Sequence, residues 1–237
     1  MKTILITGAS SGIGKALAVR AASQGWQVIA CGRNEERLEA LTGQEPNITP
    51  LSFDVSDNQQ CKQALENVNA DVYVLNAGTC EYVDVDNWDT DLFRRVFEPN
   101  FFGLVNTLDP ILPKLKSGNQ LVIVDSLARC LPFTRSQAYG ASKAAAHYLT
   151  KSLAVDLAGR GIIVQSVSPG FVKTPLTEQN DFDMPMRISA ERAAKQFLTG
   201  IERRSSSIYF PTLFAWLMRL FAKLPTALQV ALSKGMK

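Results

Sequence analysis

Tyr139 and Lys143 stand four residues apart, in Tyr-Gly-Ala-Ser-Lys, at the head of an alanine-rich segment with a helical pattern. Residues i and i+4 share one helical face, about 6 Å apart along the axis, so an ammonium can sit beneath a phenol. A free tyrosine ionises near ~10. A neighbouring cation favours the phenolate and draws that value toward the range a general acid–base needs. Ser126 closes an apolar run, 121–124, where its hydroxyl can hydrogen-bond a carbonyl or alcohol oxygen. The competing reading is a half-buried helix aromatic beside a solvated lysine. The spacing alone is common, so the elements around it must decide.

Those elements begin with residues 2–7, a β-branched apolar run that reads as a buried parallel strand. Gly8-Ala-Ser-Ser-Gly12-Ile-Gly14 follows, then a helical pattern over 15–24. Strand, glycine turn and helix form the context in which backbone can approach a pyrophosphate at a helix N-terminus; Ser10 or Ser11 adds a hydroxyl. The next strand, 26–31, runs into Gly32, Arg33 and Asn34 with no acid at its tip. An acid there suits the 2′-hydroxyl of NAD and an arginine the 2′-phosphate of NADP, so NADP(H) is favoured over NAD(H). Asp54, at the end of a third strand over 48–55, is placed to accept from an adenine amine, or else to cap a helix over 56–67. After a fourth strand, 71–75, Asn76-Ala77-Gly78 leaves room for a ribose. A helix is expected over 85–97, and Pro99 is expected to kink the chain just before Asn100.

Composition excludes other classes. The chain has 237 residues, 46% hydrophobic and 20% charged, with a net charge of +3. That balance gives no argument for nucleic acid, and no zinc-type spacing predicts a metal site. Four scattered cysteines without a Cys-x-x-Cys pair read as reduced thiols of a cytoplasmic protein. The opening residues enter a strand directly, so no leader segment is expected.

Together these motifs resemble the short-chain dehydrogenase/reductase family: Thr7-Gly-Ala-Ser-Ser-Gly-Ile13-Gly14, Asp54-Val55, Asn76-Ala77-Gly78, Asn100, Ser126, Tyr139-Gly-Ala-Ser-Lys143 and Pro169-Gly170, in order across roughly residues 2–175. The resemblance implies an α/β, Rossmann-like doubly wound sheet, predominantly parallel, of about seven strands. It implies that Tyr139 exchanges a proton with the substrate oxygen and that Ser126 holds that oxygen. Lys143 would lower the tyrosine pKa and bind the nicotinamide ribose. Asn100 would anchor a water leading from Lys143 to solvent. Pro169, Gly170, the Val172 backbone and Thr174 would lie over the nicotinamide. Two positions depart from the family pattern. Leu75 stands where an asparagine is usual, and Asp125 where a second serine is frequent; Asp125 is expected to point away from Ser126, as strand neighbours do. The single histidine, His147, reads as a packing or interface residue, with a proton relay as the minor alternative.

The expected organisation is one catalytic domain over 1–210, with a substrate lid over about 171–190, and a helical extension over 211–237. The alanine-rich helix over 141–158 is expected to serve a homodimer or homotetramer, as the resemblance implies. In the extension, Leu213, Trp216, Leu217, Leu220, Phe221 and Leu224 form one apolar stripe, and from residue 190 onward eight basic residues face two acidic ones. That stripe is expected to pack on the domain or a partner subunit; the sharper alternative is peripheral contact with a membrane. The functional expectation is NADP(H)-dependent interconversion of an apolar carbonyl compound and its alcohol. Its rivals are a non-catalytic dinucleotide sensor and a membrane-docked protein acting through the tail.

Overall fold

The computed structural model describes residues 1–178, 180 and 182–234. Gln179 and Asp181 of the expected lid, and Lys237 of the basic tail, lie outside the described residues. In chain order the elements are β1 (Thr3–Thr7), α1 (Gly12–Ser23), β2 (Gln27–Gly32), α2 (Glu35–Thr42), β3 (Ile48–Ser52), α3 (Asn58–Leu65), β4 (Val72–Leu75), α4 (Thr90–Phe97), α5 (Gly103–Ile111), β5 (Gln120–Val124), α6 (Gln137–Ala158) and β6 (Ile163–Pro169). Then come β7 (Val172–Lys173), β8 (Ile188–Ser189), α7 (Ala190–Glu202), β9 (Ser207–Phe210), α8 (Thr212–Phe221) and α9 (Thr226–Lys234).

Among the described residues, seven strands form one sheet in the order β3-β2-β1-β4-β5-β6-β9, every pair parallel. Both faces are covered, and alternation along each strand shows why the strands read as continuous apolar runs. Ile4, Ile6, Val72, Val74, Val122 and Val124 meet α1, α2 and α7. Leu5, Tyr73, Leu75, Leu121 and Ile123 meet α3, α5 and α6. Leu75, the departure noted above, is therefore an ordinary core residue. The order reverses between β1 and β4, so the loops leaving those strands open a crevice at the carboxyl ends.

Several boundaries differ from expectation for local reasons. The helix expected from residue 85 starts at Thr90, because Asp89 accepts from the Asp91 amide at 2.8 Å and caps it. Asp57, not Asp54, caps α3, accepting from Gln59 and Gln60 at 2.9 and 3.1 Å. Pro99 does not break the chain. It enters a π-helical turn, Glu98–Phe102, that joins α4 to α5, and the wider turn accommodates the missing amide donor. The long helix begins earlier than residue 141, at Gln137, which puts Tyr139 in its first turn.

The tail differs more. α8 buries Phe214, Ala215 and Met218 against Leu127 and Leu131, with Leu217 and Phe221 partly buried at the edge. Phe214 stacks 5.4 Å from Phe171, and this aromatic contact rotates the helix so that Leu213, Trp216 and Leu220 face outward.

Candidate active site

The glycine turn is built for close approach. Gly8 and Gly12 hold φ of +67° and +56°, a region that side chains disfavour. A Cβ on Gly8 would meet the Ala77 backbone at 2.9 Å, and one on Gly14 would strike the Gly8 carbonyl and come 2.7 Å from Asn76 Nδ2. Thr7 Oγ1 accepts from the amides of Asn76 and Ala77 at 2.9 and 3.1 Å, and Asn76 Nδ2 donates to the Thr7 carbonyl at 3.0 Å. The Asn76 side chain therefore clamps β4 to β1. Ser11 is the extended N-cap of α1 and its side chain makes no capping bond, leaving the first-turn amides for another acceptor. Ile13 packs into the core beneath the turn. This backbone cradle fits a pyrophosphate.

At the far end of the crevice, Ser10 Oγ lies against Gly32, 3.3 Å from where its Cβ would stand. Arg33 is exposed and pairs with Asp54 at 3.5 Å, while Asp54 Oδ1 also accepts from the Ser56 amide at 2.9 Å. Val55 is buried against Gly103 of α5.

The reacting end is assembled from four elements. The Ser126 hydroxyl accepts from the Ala128 amide at 3.1 Å, lies 3.5 Å from the Pro169 carbonyl and stands beside the Tyr139 phenol, whose pKa it lowers. Lys143 is buried, donates to the Val124 carbonyl at 3.1 Å and lies 5.9 Å from the centre of the Tyr139 ring. Asn100, buried in the π turn, is fixed on three sides. It accepts from the Thr79 amide at 2.7 Å and donates to the Thr79 carbonyl and Ser142 Oγ at 2.9 and 3.0 Å. Gly78 makes this possible, since a Cβ there would lie 2.7 Å from Asn100 Oδ1 and 3.3 Å from Lys143 Nζ. After β6, Gly170 donates to the Phe210 carbonyl at 2.7 Å and packs on Phe214. Val172 is buried, and the Thr174 methyl comes within 3.3 Å of the Cβ position of Gly12. The post-β6 loop thus returns over the glycine turn.

The charge state differs from the simple expectation. Burial pushes the Tyr139 phenol above its ordinary value, with Cys80 and the Asp125 carboxylate adding to the rise and the Ser126 hydrogen bond opposing it. Burial also draws the Lys143 ammonium down to about 8, against the pull of Asp125. Desolvation is the largest cause of both shifts, and at Tyr139 it favours the protonated phenol.

Several participants carried no signal in spacing. Thr7, Thr79 and Ser142 act through contacts that only folding creates. Asp125 does turn from Ser126, toward α6, where it meets His147 Nδ1 at 2.7 Å and Arg129 Nε at 3.3 Å. On the open side, Tyr82, Phe182, Phe171 and Phe214 form a chain of ring contacts with centroids 5.5, 6.2 and 5.4 Å apart, linking the loop after β4, the post-β6 segment and α8.

The family model for short chain dehydrogenase matches residues 2–184, and the chain belongs to that family. It is accordingly an oxidoreductase of hydroxyl and carbonyl groups served by a nicotinamide dinucleotide. It is 32% identical over 247 residues to an uncharacterized oxidoreductase of Myxococcus xanthus, covering 100% of this chain and 98% of that one. It is 36% identical over 213 residues to a 3beta-hydroxysteroid dehydrogenase of Mediterraneibacter gnavus, covering 82% and 74%. A short chain dehydrogenase of Burkholderia cenocepacia solved in complex with NADP superposes with a TM-score of 0.87 at 25% identity, covering 98% and 97%.

Proposed function

We propose that this protein reduces an apolar aldehyde or ketone with NADPH, and runs the reverse oxidation with NADP. The observation that carries the reading is the convergence of Ser126 and Tyr139 at the end of β5, with Lys143 and Asn100 buried behind them. When bound, the dinucleotide supplies or accepts the hydride. The glycine turn at Gly8, Gly12 and Gly14, with Ser10 and Ser11, holds its pyrophosphate. Arg33 meets the 2′-phosphate, and Asp54 and Val55 border the adenine. Asn76, Ala77 and Gly78 leave space along the ribose, and Pro169, Gly170, Val172 and Thr174 border the nicotinamide.

Ser126 orients the substrate oxygen toward Tyr139. Tyr139, held in its protonated form, donates to that oxygen during reduction and takes the proton back during oxidation. Lys143 places a positive charge behind the phenol as it gives up its proton. Asn100 fixes the Gly78–Thr79 backbone and, through Ser142, the first turns of α6. The aromatic chain of Tyr82, Phe171 and Phe182 favours an apolar substrate over a charged one.

The test is turnover with aldehydes and ketones of rising chain length, NADPH and NADH in parallel, beside Tyr139→Phe. Turnover that prefers NADPH, grows with apolar length and vanishes in the variant supports the reading. NADPH binding without turnover on any substrate class would point instead to a dinucleotide sensor.

A further inference from the structure

We infer that α8 and α9 form a docking face for an anionic lipid surface. A helix on a water-facing protein normally turns its polar side outward. α9 does the opposite. Ser233 is buried and Gln229 is turned inward, its Nε2 donating to the carbonyls of Ala222 and Leu224 at 3.1 and 2.8 Å. Leu228 and Leu232 face solvent, Leu228 at 52% exposure. The inward polar side lines a cavity of about 660 Å³ that α9 shares with the loop after β5 and the start of α6; Ser233 Oγ is buried there without a hydrogen-bond partner.

α8 shows the same habit. Its buried side is filled by Phe214, Ala215 and Met218, yet Leu213 and Trp216 stand 60% and 59% exposed, with Leu220 between them on the helix surface. Helical geometry puts Arg219 on the flank of this row beside Trp216, and Lys223 is exposed in the turn that follows α8. Arg219 is stacked 4.6 Å from the centre of the Tyr209 ring, so its charge is held near that flank.

Charge identifies the occupant. After Glu202 the sequence contains no acidic residue, while it holds Arg203, Arg204, Arg219, Lys223, Lys234 and Lys237. A second copy meeting this face about a two-fold axis would bring the cations of α8, α9 and the turn between them, Arg219, Lys223 and Lys234, toward one another. An anionic bilayer supplies both needs, headgroups for the lysines and arginines and an acyl boundary for Leu213, Trp216 and Leu220, with tryptophan suited to the interface. Among the described residues no helix is long and apolar enough to cross a membrane, so the helices would lie along the surface.

The experiment is co-sedimentation of the full chain with phosphatidylcholine vesicles and with vesicles rich in phosphatidylglycerol. Partition onto the anionic vesicles alone is expected, weakening as salt rises. Leu213→Ser combined with Trp216→Ser and Leu220→Ser should lower it at least about tenfold. Lys223→Glu, which leaves the apolar row intact, should lower it roughly tenfold. Absence of partition onto either vesicle, or partition that all variants retain, overturns the inference. So does a triple variant whose mass in sedimentation equilibrium is half that of the parent, which would assign the face to a second copy.

Discussion

His147 Nδ1 lies 2.7 Å from Asp125 Oδ2, which couples the second turn beyond Tyr139 in α6 to the last residue extending β5. Arg129 approaches the other carboxylate oxygen at 3.3 Å and donates to Ser168 at 3.2 Å. One buried acid thus ties together β5, α6, the turn after Ser126 and β6. It also raises the pKa of Lys143 against the effect of burial. Asp125→Asn should therefore destabilise the protein by on the order of 3 kcal/mol, because Arg129 and His147 lose a buried carboxylate. The same change should move the lysine-dependent limb of the pH–rate profile to lower pH, whereas a purely structural role would leave that limb in place.

Ser126→Ala removes the hydroxyl, beside the phenol, that is proposed to hold the substrate oxygen. Turnover should fall roughly a hundredfold, and Tyr139→Phe should cost about a thousandfold, with dinucleotide affinity nearly unchanged in both. Equilibrium binding of NADPH beside steady-state rates checks the separation.

Lys143 gives a signed prediction for stability. Its folded value of about 8 lies below the ordinary 10.5. Below about pH 8 both states carry the proton, and burial of the ammonium disfavours folding. Between the two values the unfolded chain holds the extra proton, so this residue's contribution rises with pH, by on the order of 3 kcal/mol across the window. Urea unfolding of the parent and of Lys143→Met should show the parent gaining on the variant between pH 8 and 10.5. A constant difference would sink the idea.

Gly78→Ala tests the reacting end from the other side. The added methyl would fall 2.7 Å from Asn100 Oδ1 and 3.3 Å from Lys143 Nζ, so both must shift. A displacement near 1 Å at such a site lowers turnover about a hundredfold. Cofactor affinity should change far less, which kinetics and direct binding together would show.

Arg33 is tested by cofactor choice. Arg33→Ala should weaken NADPH by roughly tenfold or more while leaving NADH almost unaltered, since a charge-assisted bond to the extra phosphate is lost. Equal losses for both cofactors would remove Arg33 from that role.

The central strands were legible because they are buried on both faces and so read as apolar runs rich in β-branched residues, as in residues 3–7 and 121–124. The glycine turn and the Tyr139–Lys143 pair were legible because their chemistry depends on local spacing. The helix start expected at residue 85 was placed too early because Asp89 caps α4, which begins at Thr90. The division of the α8 stripe was not legible, because periodicity reveals that a stripe exists, while the contact of Phe214 with Phe171 decides which shoulder of it is buried on the domain.

The sequence by itself determined the parallel α/β architecture, the glycine turn between β1 and α1 and the spacing of Tyr139 and Lys143 on one helix, all properties of local sequence pattern. Tertiary structure alone decided that Asn100 locks Thr79, that Asp125 serves His147 and Arg129, and that Tyr139 is buried enough to favour its protonated form. Those outcomes depend on desolvation and on contacts between residues dozens of positions apart, which are settled only when helices and sheet close over them.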